Sequence, residues 1–154
     1  MKTVLYTYSD GGARGNPGPA AIGAVLCDEK GKILFETARC IGKATNNVAE
    51  YNAMILALES AQARQATHLI CHADSELLIF QLQGIYRIKD LRLKALAEKV
   101  KSLASRFKSV KWRQIPRESA MIARADKLLN QALNQAKATI RPLPDSGPAQ
   151  GELF

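Results

Sequence analysis

Four acidic residues stand out because of where their local patterns put them. In TVLYTYSDGG the alternation of a strand places Val4, Tyr6, Tyr8 and Asp10 on one face, so a carboxylate ends an otherwise apolar row. His72 and Asp74 share a face in the same way at the end of HLICHAD. Glu50 falls in the first turn of a helical pattern, and its neighbours one and two turns on are Met54, Ala57 and Leu58, which directs it toward the protein. Asp126 is flanked on its own helix face by Ile122, Leu129 and Leu133 and leans the same way. Singly, each has an ordinary explanation: Glu50 closing a capping box on Asn47, Asp10 opening an Asx turn, Asp74 capping a short helix, Asp126 as a solvated flank. Together they ask for more, because carboxylates brought close repel and raise one another's pKa unless a cation neutralises them. An oxygen-only set suits Mg²⁺ or Mn²⁺, and no thiol or imidazole spacing points to zinc.

The elements that must position these residues follow from periodicity. Strands are predicted at Val4 to Ser9, Ala20 to Cys27 and Lys32 to Ile41, with the turn Asp28 to Gly31 joining the last two. A helix is predicted from Asn47 to Arg64, a strand from His68 to Ala73, a short helix from Ser75 to Leu82, a basic helix from Leu91 to Ser105, a fifth strand from Val110 to Gln114, and a last helix from Met121 to Ala138. A strand after a long helix suggests a parallel crossover. Asp10 and Asp74 then lie at the carboxyl ends of adjacent strands, where open α/β sheets place ligand sites.

The chain has 154 residues and a formal net charge of +8, so one domain is expected and a polyanion, nucleic acid first, is the expected partner. Cys27, Cys40 and Cys71 are odd in number and widely spaced, which reads as core thiols in a reducing cytosol. No apolar run approaches the roughly 18 residues that span a bilayer. A soluble, cytoplasmic, monomeric protein is the expectation.

Four stretches, DGGARGNPGPAAIGAVL, TNNVAEYNAMILAL, ADSELLIFQLQG and ARADKLLNQAL, occur in an order and spacing that resemble ribonuclease H type I, from Thr3 to about Ala138. The resemblance implies an α/β ribonuclease H-like fold, a five-stranded mixed sheet flanked by helices, that hydrolyses the RNA strand of an RNA/DNA hybrid. It implies Asp10, Glu50, Asp74 and Asp126 as catalytic, metal-binding carboxylates for two Mg²⁺ ions, for which Mn²⁺ can substitute, and products with 5′-phosphate and 3′-hydroxyl ends. The bare segment from Gly11, Gly12 and Ala13 toward Gly18 would let backbone N–H groups approach the nucleic acid. By resemblance Asn16, Asn46 and Asn47 read the minor groove and its 2′-hydroxyls, with Thr45 near a DNA-strand phosphate. Asn46 and Asn47 also suit helix capping. A non-catalytic hybrid-binding module of the same fold is the alternative, although a mere binder gains nothing from crowding negative charge beside a phosphate. A transposase or integrase of related fold would need an accessory domain for which the chain is too short.

Several positions depart from the family pattern. The basic, Trp-bearing handle of many relatives is missing, and QLQGIYRIKDLRLKAL runs directly into the next helix, as in the handle-less bacterial and archaeal-like branch. Eleven of the 22 Lys and Arg residues fall between Arg87 and Arg117 against only Asp90 and Glu98, which places the compensating positive surface there. The loop histidine of some relatives is absent, and Arg117 and Glu118 fit the Arg-Glu pair of handle-less members. Ile122 stands where relatives usually carry Asn, and SAM looks like a lengthening of the preceding loop, so slower turnover is expected.

The expected organisation is a catalytic domain over residues 1–138 and a flexible tail over 139–154. The tail ends in QGELF, the QxxLF shape of bacterial sliding-clamp-binding peptides, with Gln150 at the rim and Leu153 and Phe154 in an apolar pocket. Removing the last five residues should abolish co-elution with a sliding clamp and spare hybrid cleavage. Unchanged co-elution would rule out the anchor.

Overall fold

The computed structural model describes residues 1–140. The elements run β1 (Val4–Ala13), β2 (Gly18–Cys27), β3 (Ile33–Ala44), α1 (Asn46–Ala63), β4 (His68–Ala73), α2 (Glu76–Leu82), α3 (Leu91–Ala104), β5 (Ser109–Gln114) and α4 (Ala120–Ile140). The expected tail therefore starts inside α4, and its remainder, including Gln150, Leu153 and Phe154, lies outside the described residues.

One mixed sheet has the order β3-β2-β1-β4-β5. β1 is antiparallel to β2, and β2 to β3, whereas β1–β4 and β4–β5 are parallel, as the crossover predicted. β1 is therefore the strand at which the sheet changes sense, and the carboxyl ends of β1 and β4 open onto a crevice.

Helices cover both faces. α1, α2 and α3 share one core with Leu5, Ile22, Leu26, Leu69 and Cys71, and α4 packs Ala125, Leu129 and Leu133 against Ala21, Val25 and Cys27 on the other side. β2 is buried almost throughout, which explains why GPAAIGAVLC reads as continuous apolar sequence and not as alternation. Similarly, α1 is apolar nearly all round because it lies between the sheet and α3. Among the described residues no helix is long and apolar enough to cross a membrane.

Three local expectations are corrected. β1 does not stop at Ser9: Gly11, Gly12 and Ala13 continue the ladder opposite Ile22, Ala21 and Ala20, so Asp10 sits within the strand and the turn is only about Arg14 to Pro17. Asp10 is nevertheless past the end of the parallel pairing, whose last pair is Tyr8 with His72. The cap of α1 is Thr45, whose Oγ1 accepts from Val48 N at 3.2 Å, and not Asn47. Of SAM, only Ser119 lies in the loop before α4. Ser119 O accepts from Ala123 N at 2.9 Å, Ala120 and Met121 form the first turn of α4, and Ile122 is fully buried.

Two glycines set how closely the helices approach. A Cβ on Gly11 would collide with the Ala49 carbonyl of α1, and one on Gly23 would lie 2.5 Å from the Ala125 carbonyl of α4. Gly23 is the register partner of Asp10. The missing side chains thus bring Glu50 and Asp126, each the next residue along its helix, to Asp10 from opposite faces. Gly23→Ala is expected to force α4 outward and to destabilise the fold by about 1–3 kcal/mol, read by chemical denaturation. A loss below about 0.5 kcal/mol would show that α4 retreats freely.

Candidate active site

Each acidic residue is spared a structural task. Ser75 caps α2 by accepting from Leu78 N at 3.1 Å, so Asp74 is not the cap that sequence alone allowed. With Thr45 capping α1, Glu50 closes no capping box on Asn47. Asp10 is held in a ladder and opens no Asx turn. Asp126 is half-buried and lines a cleft, so it is no solvated flank.

Asp10, Glu50 and Asp74 each offer a carboxylate oxygen within 4.8 Å of the others. Asp126 is outside that trio, but its charge acts on Asp10, and with Asp10 and Glu50 it lines a cleft of about 340 Å³. Gly11, Gly12, Ala13, Arg14, Asn46, Arg117 and Asn130 share the lining. Burial first, then the charges of Asp74 and Asp126, push the Asp10 carboxyl up to about 8, against the Arg117 guanidinium. Burial, then Asp10 and Asp74, raises Glu50 well above the usual carboxylate range, opposed by the Gly11 N–H and Arg117. Glu50 Oε1 and Asp74 Oδ1 are buried without a hydrogen-bond partner. Arg117 Nε approaches Asp74 Oδ2 at 3.5 Å, but its side chain is 74% exposed, so this pair is screened and compensates little. Converging carboxylates that leave buried oxygens unpartnered are a donor set that a hard divalent cation fits.

The remaining expected residues divide by place. Asn16, Thr45 and Asn47 line a neighbouring groove of about 620 Å³ with Val48 and Asp90 to Leu93. Asn46 joins the two, since its Oδ1 accepts from Ala13 N at 2.9 Å and its backbone N–H donates to Asn16 Oδ1 at 3.0 Å. Glu118 is exposed and lines neither. Ile122 is fully buried and lines neither cavity. Arg14 and Asn130 also line the cleft and carry no strong motif of their own; the one local signal is that Asn130 lies one helical turn beyond Asp126.

A sheet that changes sense at a carboxylate cluster, with glycine-rich backbone and asparagines beside it, defines a ribonuclease H-like protein. Residues 8–132 match the family profile described as reverse transcriptase-like. The chain is 40% identical over 132 residues to ribonuclease HI of Halobacterium salinarum, covering 86% of this chain and 65% of that protein. It is 38% identical over 151 residues to the bifunctional protein Rv2228c of Mycobacterium tuberculosis, covering 97% of this chain but only 40% of that one. Among solved structures, RNase H1 of H. salinarum superposes with a TM-score of 0.83 at 39% identity, covering 86% of this chain and 98% of that one. LC11-RNase H1, solved in complex with an RNA/DNA hybrid, gives 0.81 at 43% identity, again covering 86% and 98%. The chain belongs to the type I ribonuclease H family.

The carboxyl shifts fix the sign of a pH effect. A carboxyl whose pKa is higher folded than unfolded costs no stability below the unfolded value near 4, and the cost grows as pH rises through about 8. A divalent cation removes that cost only where the groups are ionised. Added Mg²⁺ should therefore raise the Tm more at about pH 8.5 than at about pH 5, by about 2–4 °C for each kcal/mol of relief. Equal gains at both pH values, read by differential scanning calorimetry, would contradict cation binding by this cluster.

Proposed function

We propose that this chain is an endonuclease that hydrolyses the RNA strand of RNA/DNA hybrids, such as primers and R-loops. The supporting observation is that Asp10, Glu50 and Asp74 bring carboxylate oxygens within 4.8 Å of one another, with one buried oxygen each on Glu50 and Asp74 left without a hydrogen-bond partner, beside a rim of backbone and amide groups. Asp10, Glu50, Asp74 and Asp126 would hold two Mg²⁺ ions, with Mn²⁺ able to substitute. When bound, such ions supply an activated water on one side of the scissile phosphate and charge neutralisation at the leaving 3′ oxygen, giving 5′-phosphate and 3′-hydroxyl ends.

The chain's own groups bind and orient. Asn16 and Asn46 are exposed and their Oδ1 atoms already accept backbone N–H groups, so each offers a ligand its NH₂ donor. Donors suit a wide, shallow minor groove, whose base edges and 2′-hydroxyls accept. Asn16 lines the groove beside the acidic cleft with Asn47 and Thr45, and Asn46 lines the cleft itself, an arrangement suited to reading the RNA strand while the adjoining carboxylates face its phosphate. Gly11 to Ala13 bring backbone to the cleft wall without bulky side chains, and Arg117 places positive charge where a phosphate would enter. The cations concentrated from Arg87 to Arg117 supply the salt-dependent part of binding.

A hybrid-binding module that does not cut is the competing reading, and one assay separates them. With a hybrid labelled in its RNA strand and Mg²⁺ present, the chain should cut, and chelation should stop it. Asp74→Asn should lose more than the roughly 10–100-fold typical of removing a partner outside a ligand set while retaining hybrid binding by anisotropy. Undiminished cleavage by that variant would defeat the proposed mechanism.

A further inference from the structure

Asp126 is the acidic residue that stands apart from the tight trio, and it rides on a helix beside carboxylates that repel it. Nothing in its sequence neighbourhood would stop it from rotating to another staggered rotamer and into water. A chain of side chains does. Asn130, one turn on, donates from Nδ2 to the Asp126 carbonyl at 2.9 Å and to Asp126 Oδ1 at 3.2 Å. Asn130 is itself held by Arg14, whose Nη2 donates to Asn130 Oδ1 at 3.2 Å and to the Asn130 carbonyl at 3.4 Å. With Oδ1 accepting from the guanidinium, the amide can present only its NH₂ to the carboxylate.

The intermediary is neutral, and that has a consequence. An arginine placed directly on Asp126 would neutralise the carboxylate and compete with a cation for its oxygens. An amide between them orients the carboxylate and leaves its charge available, and the guanidinium behind polarises the amide and strengthens its donation. Arg14 also lies between Ala13, which bonds Asn46, and Asn16, which bonds the Asn46 backbone. The turn that carries the groove-lining Asn16 thus also anchors the residue that steers Asp126.

We propose that Arg14 and Asn130 are positioning residues acting in series: the β1–β2 turn, through Arg14 and then Asn130, holds Asp126 in place for a divalent cation. This rests on the hybrid-nuclease reading above, which makes the turn a nucleic-acid contact.

The test uses the full chain and Mn²⁺ as the probe, titrated by calorimetry without nucleic acid. Asn130→Leu keeps the approximate shape and removes the donor, and should weaken Mn²⁺ binding roughly tenfold. Asn130→Gln keeps a donor that reaches one turn back and should bind within about threefold of the parent. Arg14→Ala should weaken binding less than Asn130→Leu, and the double variant should be no worse than Asn130→Leu alone, as residues in series require. In the cleavage assay the half-saturating Mg²⁺ concentration should rise by the same factor with KM for hybrid unchanged. Parent-like Mn²⁺ binding by folded Asn130→Leu overturns the proposal. So does a higher KM with unaltered metal binding, which would make these side chains direct phosphate contacts, and so do losses that multiply in the double variant. A parent that binds Mn²⁺ yet leaves hybrid uncut would sink the nuclease reading alone, because the calorimetric comparison stands without it.

Discussion

Three carboxyl groups whose oxygens approach within 4.8 Å in a half-buried cleft cannot all carry charge without a counter-charge, and the fold is arranged to enforce that proximity. The enforcement is steric. Backbone meets backbone where α1 crosses Gly11 and where α4 crosses Gly23, and at both places the absent Cβ allows an approach that no other residue permits. Side chains can swing away from a repulsion, but a helix seated on a sheet by its buried Leu129, Leu133 and Ala125 cannot do so without opening the core.

The electrostatic cost is sustained because conformational jobs are given to other residues. Thr45 and Ser75 cap the two helices that begin beside the cleft, which leaves Glu50 and Asp74 without structural partners for the oxygens that face inward. Arg117 is near enough to temper Asp74 but too exposed to neutralise it. The cluster is therefore a strained arrangement in the absence of cations, with the Asp10 and Glu50 carboxyls raised in pKa chiefly by burial and then by neighbouring charge. Strain of this kind is a hallmark of sites tuned for chemistry and not for stability.

Around the acidic centre the polar groups are divided between holding and offering. Asn16 and Asn46 spend their carbonyl oxygens on the protein and keep donors for a ligand, whereas Asn130 spends its oxygen on Arg14 and its donor on Asp126. Ile122 belongs to the buried packing of α4 and not to this polar set.

The type and order of the elements, the acidic residues that face inward, and the concentration of cations before the last helix were legible in the chain, because each of these is a local periodicity or a local composition. Strand alternation aimed Asp10 and Asp74, and helical spacing aimed Glu50 and Asp126, without any knowledge of tertiary contacts. Element ends were less legible: β1 runs on through Gly11 to Ala13 because β2 pairs with it, and pairing is a property of two segments. Which of several competent residues caps a helix was equally hidden, since Thr45 and Asn47, or Asp74 and Ser75, differ by one or two positions and only the chain's entry angle chooses. Only the folded chain reveals that Gly23 lies under Ala125, that Asp126 stands outside the trio, and that Arg14 reaches across more than a hundred residues to Asn130. Those are contacts between remote segments, and their energies depend on distances that no local pattern encodes.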